Sequence, residues 1–522
     1  MVVKSYKIVF LFFLFITHFV TAQQDYITGN LLDFETEEPI AFASIRIKDR
    51  ALGVISNLDG SFKIPMKFSE YGDIIEISSM GYQVLEIELS DLSLFESNLV
   101  RLKPNIEMLN EVVLVSKRKK SLKPEAIIQN AIDNIPKNYP LSPFSYIGYY
   151  RDYQVKNGSR FNFNEAILEV FDSGFATGDF ENTNYKLYHY TRNLAFPRDT
   201  IGEKPYDNQN KFIPGAEVES RKGNELLILR NMDAIRNYKV DTYSYVYRFA
   251  HDFIENHWFR KKPDVKLGND VLYSLEFSKR TSKYLVFGTI AISKTSFAIY
   301  KFDYNVYVRG EEVKPNVTYA DLKKGTSSLF SVKVGYKRYN GSMYPSYISF
   351  NNQFNAYGKS ILRAEKVSLD FPDKFVLVNF STIPDQKDGQ KTSRYDLKYR
   401  DQKLKIKHIV LDGKSAKLYL SKSEWRRLEE MVVKDAEYKT SNLNIVVSKM
   451  KDIEGNSIND PEEIQFEQYR EFFVQRINPQ SHSKNNNRYM RKDRPIFENQ
   501  IFDKPDDFSD YWMNTPNNDE RE

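Results

Sequence analysis

At 522 residues the chain is longer than one ordinary core organises, at roughly 100 to 200 residues per domain, so two or three domains are expected. Its 75 basic and 70 acidic side chains give a formal charge of +5, or +3 once Lys4 and Lys7 leave with an N-terminal segment, and this near balance leaves no electrostatic footprint for nucleic acid. With no cysteine the chain has no disulfide, thiolate metal site, cysteine nucleophile or acylated N-terminal cysteine, while 35 Tyr and 37 Phe in short alternating runs point to a mainly β protein.

Met1 to Ala22 has a basic start, an apolar run from Ile8 to Val20 broken by Thr17 and His18, and the small-residue end Val20-Thr21-Ala22. That is the pattern of a secretory signal peptide, and the run is shorter than the about 20 residues of a spanning helix. Export is expected, with cleavage near Ala22 and a mature chain in the periplasm or at the outer membrane. Strand-like runs then recur about every 8 to 12 residues: Tyr26 to Leu32, Ala41 to Ile47, Leu52 to Ile55, Ser61 to Ile64, Asp73 to Ser78, Tyr82 to Leu89 and Leu99 to Leu102. In AFASIRI, Ala41, Ala43, Ile45 and Ile47 alternate with Phe42, Ser44 and Arg46, so one side packs inward and the other meets water. Between two runs lies GVISNLDGSF, Gly53 to Phe62. Asn57 and Asp59 can bond to backbone and Gly60 tolerates positive φ, which reads as a turn; a calcium loop needs about six to eight oxygens, and this stretch offers one carboxylate and one amide.

Gly29, Pro39-Ile40, Ala43, Gly53, Asp59-Gly60-Ser61-Phe62, Gly72-Asp73 and Ser79-Met80-Gly81-Tyr82 together resemble the carboxypeptidase-like regulatory domain, a transthyretin-like β-sandwich. Where that family has Thr-Asp before its turn, this chain has Ser56-Asn57. The resemblance implies an exported accessory module, residues 23–103, with no catalytic residues of its own. LNEVVLVSKRKK, Leu109 to Lys120, resembles the segment that follows the same domain in TonB-dependent outer-membrane transporters, but no plug sequence comes after it. Residues 104–120 are therefore expected to form a linker, with Lys117 to Lys120 a solvated basic run.

Over 121–144 a helical connector is expected, with Ile127, Ile128, Ala131, Ile132 and Ile135 on one face, Pro124 in the first turn and Pro136 ending the helix. From 145 to 420, runs such as SYIGYYRDYQV, YLVFGTIAISK and LFSVKVGYKRY predict long antiparallel strands in a strongly curved sheet. Tyr284 to Val306 resembles hairpins in the open half-barrels of periplasmic lipoprotein carriers. The series AIIQNAIDNIPKNYP, YIGYYRD, NEAILEVFD and REFFVQRINP resembles uncharacterised exported proteins with the same N-terminal domain, which implies no known reaction. In 421–477, a mixed and partly helical segment, Ser421 to Glu424 forms a capping box ahead of Trp425, Leu428 and Val432. There Asp460-Pro461-Glu462-Glu463 opens a second helix carrying Phe466, Tyr469 and Phe473. Residues 478–522 turn polar, with Asn485 to Asn487, and are expected as a partly disordered tail tacked on by Phe497, Ile501, Phe502, Tyr511 and Trp512.

Candidate chemistry is sparse. His251 and His257 flank Glu255, but six residues apart they share no helix face, and on a strand they lie about 20 Å apart. His251 and Glu255 also lack the His-x-x-Glu spacing of zinc carboxypeptidases. Asp452 to Glu463 imitates an EF-hand with Asp452, Glu454, Asn456 and Glu463 at ligand positions, yet Ser457 stands where the turn needs glycine. Asp412 to Ser415, DGKS, ends like a phosphate loop, but His408 takes the first glycine's place, and the stretch reads as a hairpin turn. No nucleophile elbow or dinucleotide fingerprint occurs.

No catalytic, cofactor-binding or metal residue is assigned on this reading. The expectation is a mainly β, non-enzymatic envelope protein without a cofactor. In it a sandwich leads through a short helix to a larger curved antiparallel β domain with a few helices, which binds an envelope protein or an apolar or glycan ligand. Two readings stay open beside it: a hydrolase of glycan or peptide acting through an unassigned carboxylate pair, and an accessory of a TonB-dependent outer-membrane transporter.

Overall fold

In the computed structural model, residues 26–105, 121–203, 224–239, 249, 251–308, 328–435, 442–481 and 488–517 are described; Met1–Ala22, Leu109–Lys120 and Asn485–Asn487 lie outside them. The chain divides into two compact units, Met1–Phe354 with Phe466–Glu522, and Asn355–Gln465. These cut across boundaries drawn at 145, 420 and 477, because the chain leaves the large sheet after one strand and returns to it through another.

The first unit opens with the sandwich: β1 (Tyr26–Asp33), β2 (Ser44–Ile47), β3 (Leu52–Ile55), β4 (Ser61–Pro65), β5 (Ile74–Ser78), β6 (Leu85–Glu88) and β7 (Asn98–Leu102). They form two sheets, ordered β4-β1-β7 and β3-β2-β5-β6. Period-two alternation sends Ile27 and Leu31 of β1, Ile45 and Ile47 of β2, and Ile75 and Ile77 of β5 into one core. Gly53 to Phe62 joins the two sheets and folds as a turn. Gly60 N donates to Asn57 O at 3.0 Å, and Ser61 N and Oγ donate to Asp59 Oδ1 at 3.0 and 2.6 Å. Gly60 has φ of 75°, and a Cβ there would stand 2.4 Å from Leu31 O, so glycine is required on both counts. β2 starts at Ser44 rather than Ala41, because Phe42 takes φ of 60° and turns its ring out of the alternation, onto Tyr347 of the next sheet.

That sheet has ten strands: β8 (Phe144–Lys156), β9 (Ser159–Asp172), β10 (Asn184–Arg192), β11 (Trp258–Leu267), β12 (Asp270–Arg280), β13 (Tyr284–Ser293), β14 (Ile299–Val308), β15 (Phe330–Tyr339), β16 (Ser342–Ser360) and β24 (Pro461–Asn478). Their order is β10-β9-β8-β24-β16-β15-β14-β13-β12-β11. One face is covered by α1 (Pro124–Asp133), α2 (Glu225–Asn231) and α3 (His251–Asn256). Ile127, Ile128, Ala131 and Ile132 of α1, Leu226 to Leu229 of α2 and Phe253 of α3 pack there against Tyr150, Leu168, Phe302, Val332 and Phe472. Pro136 ends α1 by starting a new short helix, Ile135–Asn138.

The expected helix carrying Phe466, Tyr469 and Phe473 is instead the strand β24, between β8 and β16. Being central, it is buried on both faces over Glu471 to Gln475, so the two-residue alternation that marks a strand is erased and the spacing of its aromatics imitates a helix.

The second unit contains β17 (Ala364–Asp370), β18 (Phe375–Phe380), β19 (Tyr395–Tyr399), β20 (Gln402–Leu404), β21 (Ile406–Asp412), β22 (Ser415–Leu420) and β23 (Leu443–Val447), in sheets β17-β18-β22-β21 and β20-β19-β23. Its helix α4 (Lys422–Val433) begins with Ser421 Oγ accepting from Glu424 N at 3.2 Å and buries Trp425, Leu428 and Val432, as the capping box predicts.

Candidate functional site

The ten-stranded sheet's other face, away from α1 to α3, carries a row of polar side chains aligned by strand register. Across five strand pairs Arg260, Glu276, Thr289, Asp303, Lys333 and Ser349 stand opposite one another in turn. Ser349 Oγ donates to Glu471 Oε1 at 2.9 Å, and register continues the row from Glu471 through Arg151 and Glu165 to Thr191. Isolated charges on a β face are ordinary; here one continuous row meets two different environments.

The half of the row on β24, β8 and β9 is sealed. Arg151 is 1% exposed, Glu471 0%, and Arg151 Nε donates to Glu471 Oε2 at 2.7 Å. Above them lies the turn of the sandwich, whose Asn57 Oδ1 accepts from Arg151 Nη1. The C-terminal segment straps across both. Trp512 Nε1 donates to Lys63 O at 2.7 Å, Asn514 Nδ2 to Ile55 O at 2.9 Å, Gln475 Nε2 to Trp512 O at 2.7 Å and Thr515 Oγ1 to Glu165 Oε1 at 2.6 Å. Tyr511 and Trp512 join Ile147, Tyr149, Tyr188 and Phe473 in the core of the sandwich. This half is a structural joint in which every charge has a partner, as burial demands.

The other half of the row lines a cavity of about 500 Å³. Its walls are two neighbouring register rows, the charged one from Arg260 to Lys333, and a second in which Trp258, Ser278, Phe287 and Asn305 stand opposite one another in turn. Lys301 adds to the lining. Trp258, on the edge strand β11, is 83% exposed. Glu276 pairs with Arg260 and with Lys262 at 3.1 Å; burial pushes its carboxyl up, but the hydrogen bonds to these two cations prevail and hold it below the usual carboxylate range. Asp303 Oδ2 pairs with Lys301 at 2.9 Å, while its buried Oδ1 has no hydrogen-bond partner. Lys333 is half-buried, has no hydrogen-bond or ion-pair partner among the described residues, and rests its ammonium 5.0 Å from the centre of the Phe42 ring of the sandwich. Desolvation lowers its pKa against the attraction of Asp303.

The residues weighed from sequence lie elsewhere. His257 Nδ1 bonds to Phe253 O at 2.9 Å among Phe253 and Phe277, and burial pushes its imidazole down to about 4; the side chain of His251 is outside the described residues. Asp452 is spent on its own loop: Oδ1 accepts from Glu454 N and Asn456 N at 3.0 and 2.8 Å, and Oδ2 from Asn456 Nδ2 at 3.0 Å. Asp412 to Ser415 is the β21–β22 hairpin turn. Among the described residues no three His, Asp or Glu side chains come together as a metal site. The cavity residues escape a sequence reading because register across five strands assembles them. Their trace in the sequence is a polar or charged side chain at every second position, in FRKK, LEFSK, KFDYN and SVKV.

Comparison with known proteins bears on the N-terminal part. The TonB-dependent receptor SusC of Bacteroides thetaiotaomicron is 35% identical over 94 residues, 18% of this chain and 8% of the receptor. Among solved structures, a LolA superfamily protein from Nitrosomonas europaea aligns at 9% identity over 44% of this chain and 86% of its own, with a TM-score of 0.18. A putative outer membrane lipoprotein-sorting protein domain from Vibrio parahaemolyticus aligns at 11% identity over 43% and 84%, with a TM-score of 0.19. Scores this low carry no argument about function. Residues 27–114 match the family model of the CarboxypepD_reg-like domain, and the N-terminal sandwich is a domain of that family.

Proposed function

We propose that this protein is an exported, non-enzymatic binding protein of the cell envelope. In this reading its CarboxypepD_reg-like sandwich is built into one half of the ten-stranded sheet, and the other half offers its cavity to a polar ligand. The observation that carries the reading is the division of one register row into a sealed joint at Arg151 and Glu471 and an open cavity ending at Lys333. Export rests on the signal-like Met1 to Ala22, and the envelope setting on the similarity of the N-terminal part to a TonB-dependent receptor. An apolar ligand fits less well. The helix-bearing face is filled with side chains, and a cavity there amounts to about 20 Å³, room for little more than one water. The non-enzymatic reading is supported by the two carboxylates of the open cavity. Each is held by a cation, and Glu276 is pushed away from the raised pKa that a general acid needs. A role beside a TonB-dependent transporter is the second reading, favoured by the 94-residue similarity alone.

The test is a native mass spectrum of the protein purified from the envelope of its own host, set against a denatured one. The expected outcome is an extra mass that is lost on denaturation. Two spectra that both match the bare chain would count against a binding protein.

A further inference from the structure

We propose that the cavity on β11 to β15 is a binding site for an acidic sugar, a glycan residue carrying a carboxylate, with Lys333 as the partner of that carboxylate and Trp258 as the platform for the ring. This rests on the binding reading above and gives it a ligand class.

Charge matching comes first. Three cations and two carboxylates line the cavity, and both carboxylates are already held, Glu276 by Arg260 and Lys262, Asp303 by Lys301. The cation left over is Lys333, half-buried against the Phe42 ring; the acid opposite it in register, Asp303, attracts it but is already paired with Lys301. A half-buried ammonium with no carboxylate in hydrogen-bond contact is costly to hold, and a ligand anion offsets that cost. One uncommitted positive charge calls for one anionic group.

The rest of the wall specifies what surrounds that group. Asp303 Oδ1 lacks a donor, and Ser278, Thr289 and Asn305 add hydroxyl and amide groups, a set that hydroxyls can satisfy and an alkyl chain would leave unpaired. Trp258, almost wholly exposed beside these groups, and Phe287 offer flat apolar faces for the C–H face of a pyranose. Strands β12 to β15 are paired on both sides, so no free sheet edge within the cavity is open to an extended peptide; the edge strand β11 carries Pro263 and the lysines Lys261, Lys262 and Lys266, which discourage strand addition. A sugar acid meets all three demands at once.

The structure also supplies the probe. Of the three tryptophans, Trp425 and Trp512 are 3% and 2% exposed, so quenching by iodide reports on Trp258. The full chain is titrated with hexagalacturonate, with a neutral galactose hexasaccharide, with hexadecanoate and with a hexapeptide bearing a free C-terminus. Affinities are measured by calorimetry and shielding of Trp258 by iodide quenching. Hexagalacturonate is expected to shield Trp258 and to bind at least about tenfold more tightly than the neutral sugar, a preference that Lys333→Met removes and Lys333→Arg largely keeps. Trp258→Ala, at an exposed position that folding does not depend on, is expected to weaken both sugars.

Equal affinity for the two sugars, unchanged by Lys333→Met, overturns the acidic-sugar assignment while leaving a binding protein. Binding of hexadecanoate or of the peptide but of neither sugar also overturns it. Failure of the binding reading itself shows separately, as the absence of any adduct on protein from its host.

Discussion

Glu225 opens the first turn of α2 and is fully buried, with Oε2 accepting from Ile496 N at 3.1 Å and Oε1 without a hydrogen-bond partner. Burial, reinforced by the nearby Asp152 carboxylate, pushes its carboxyl up to about 8, so the folded chain holds a proton there at neutral pH that the unfolded chain has released. A folded pKa raised above the unfolded one stabilises the protein fully below the unfolded value, and that stability is lost as pH rises through about 8. The loss is at most roughly 1.4 kcal/mol per pH unit. Glu225→Gln keeps an acceptor for Ile496 N and carries no titrating proton. Thermal unfolding followed from pH 5 to pH 8 is expected to show the variant matching the parent at the acid end and exceeding it at the alkaline end. Parallel curves would mean that Glu225 does not titrate in that window. No pattern around Glu225 announces this, since an acidic residue in a first helical turn normally faces water.

At the scale of elements, the turn at Asn57 to Gly60 acts as a three-way joint. Asn57 closes the turn through its carbonyl, bonds to the Ser61 hydroxyl at 2.9 Å through Nδ2 and accepts from Arg151 through Oδ1, while the strap of Trp512 and Asn514 holds the strands on either side. Asn57→Ala leaves a buried guanidinium one acceptor short, at a cost of about 1–3 kcal/mol. Hydrogen exchange is expected to quicken over residues 52–65 and 508–517 and to stay unchanged over 355–465; exchange unchanged everywhere would show that Glu471 and the Asn514 carbonyl hold Arg151 without Asn57. The turn was legible from Asn57, Asp59 and Gly60, and so were the sandwich strands, α1 and α4, because local chemistry and hydrophobic period agree there. What the turn touches was not legible: Phe42, placed toward water by alternation, stacks on Tyr347 with ring centres 4.8 Å apart. β24 was misread because a strand buried on both faces loses the alternation that identifies it. The cavity was out of reach for a related reason, since register between strands far apart in the chain is a property of the fold and not of any window of sequence.

At the scale of the molecule, the two compact units have separate cores. Trp425 lies with Val376, Leu397 and Leu418 in a cluster whose buried members all fall between Leu362 and Ile458, and Trp512 lies with Ile64, Phe68 and Phe473 in another. The buried cluster of Asn355–Gln465 shares no residue with those of the other unit, so one transition for each unit, two in all, is the expectation in a calorimetric scan. Each tryptophan is a probe of one core, and replacing a buried Trp by Ala costs about 3–5 kcal/mol where the site does not collapse. Trp425→Ala is expected to lower one transition and leave the other in place, and Trp512→Ala to do the reverse, because the first removes packing only beneath α4 and the second only beneath the strap. The double variant should then show both shifts at their single-variant sizes, as independent sites do. A single transition displaced by either substitution would instead show that β16 and β24, which run from one unit into the other, transmit enough stability to make the chain unfold as one.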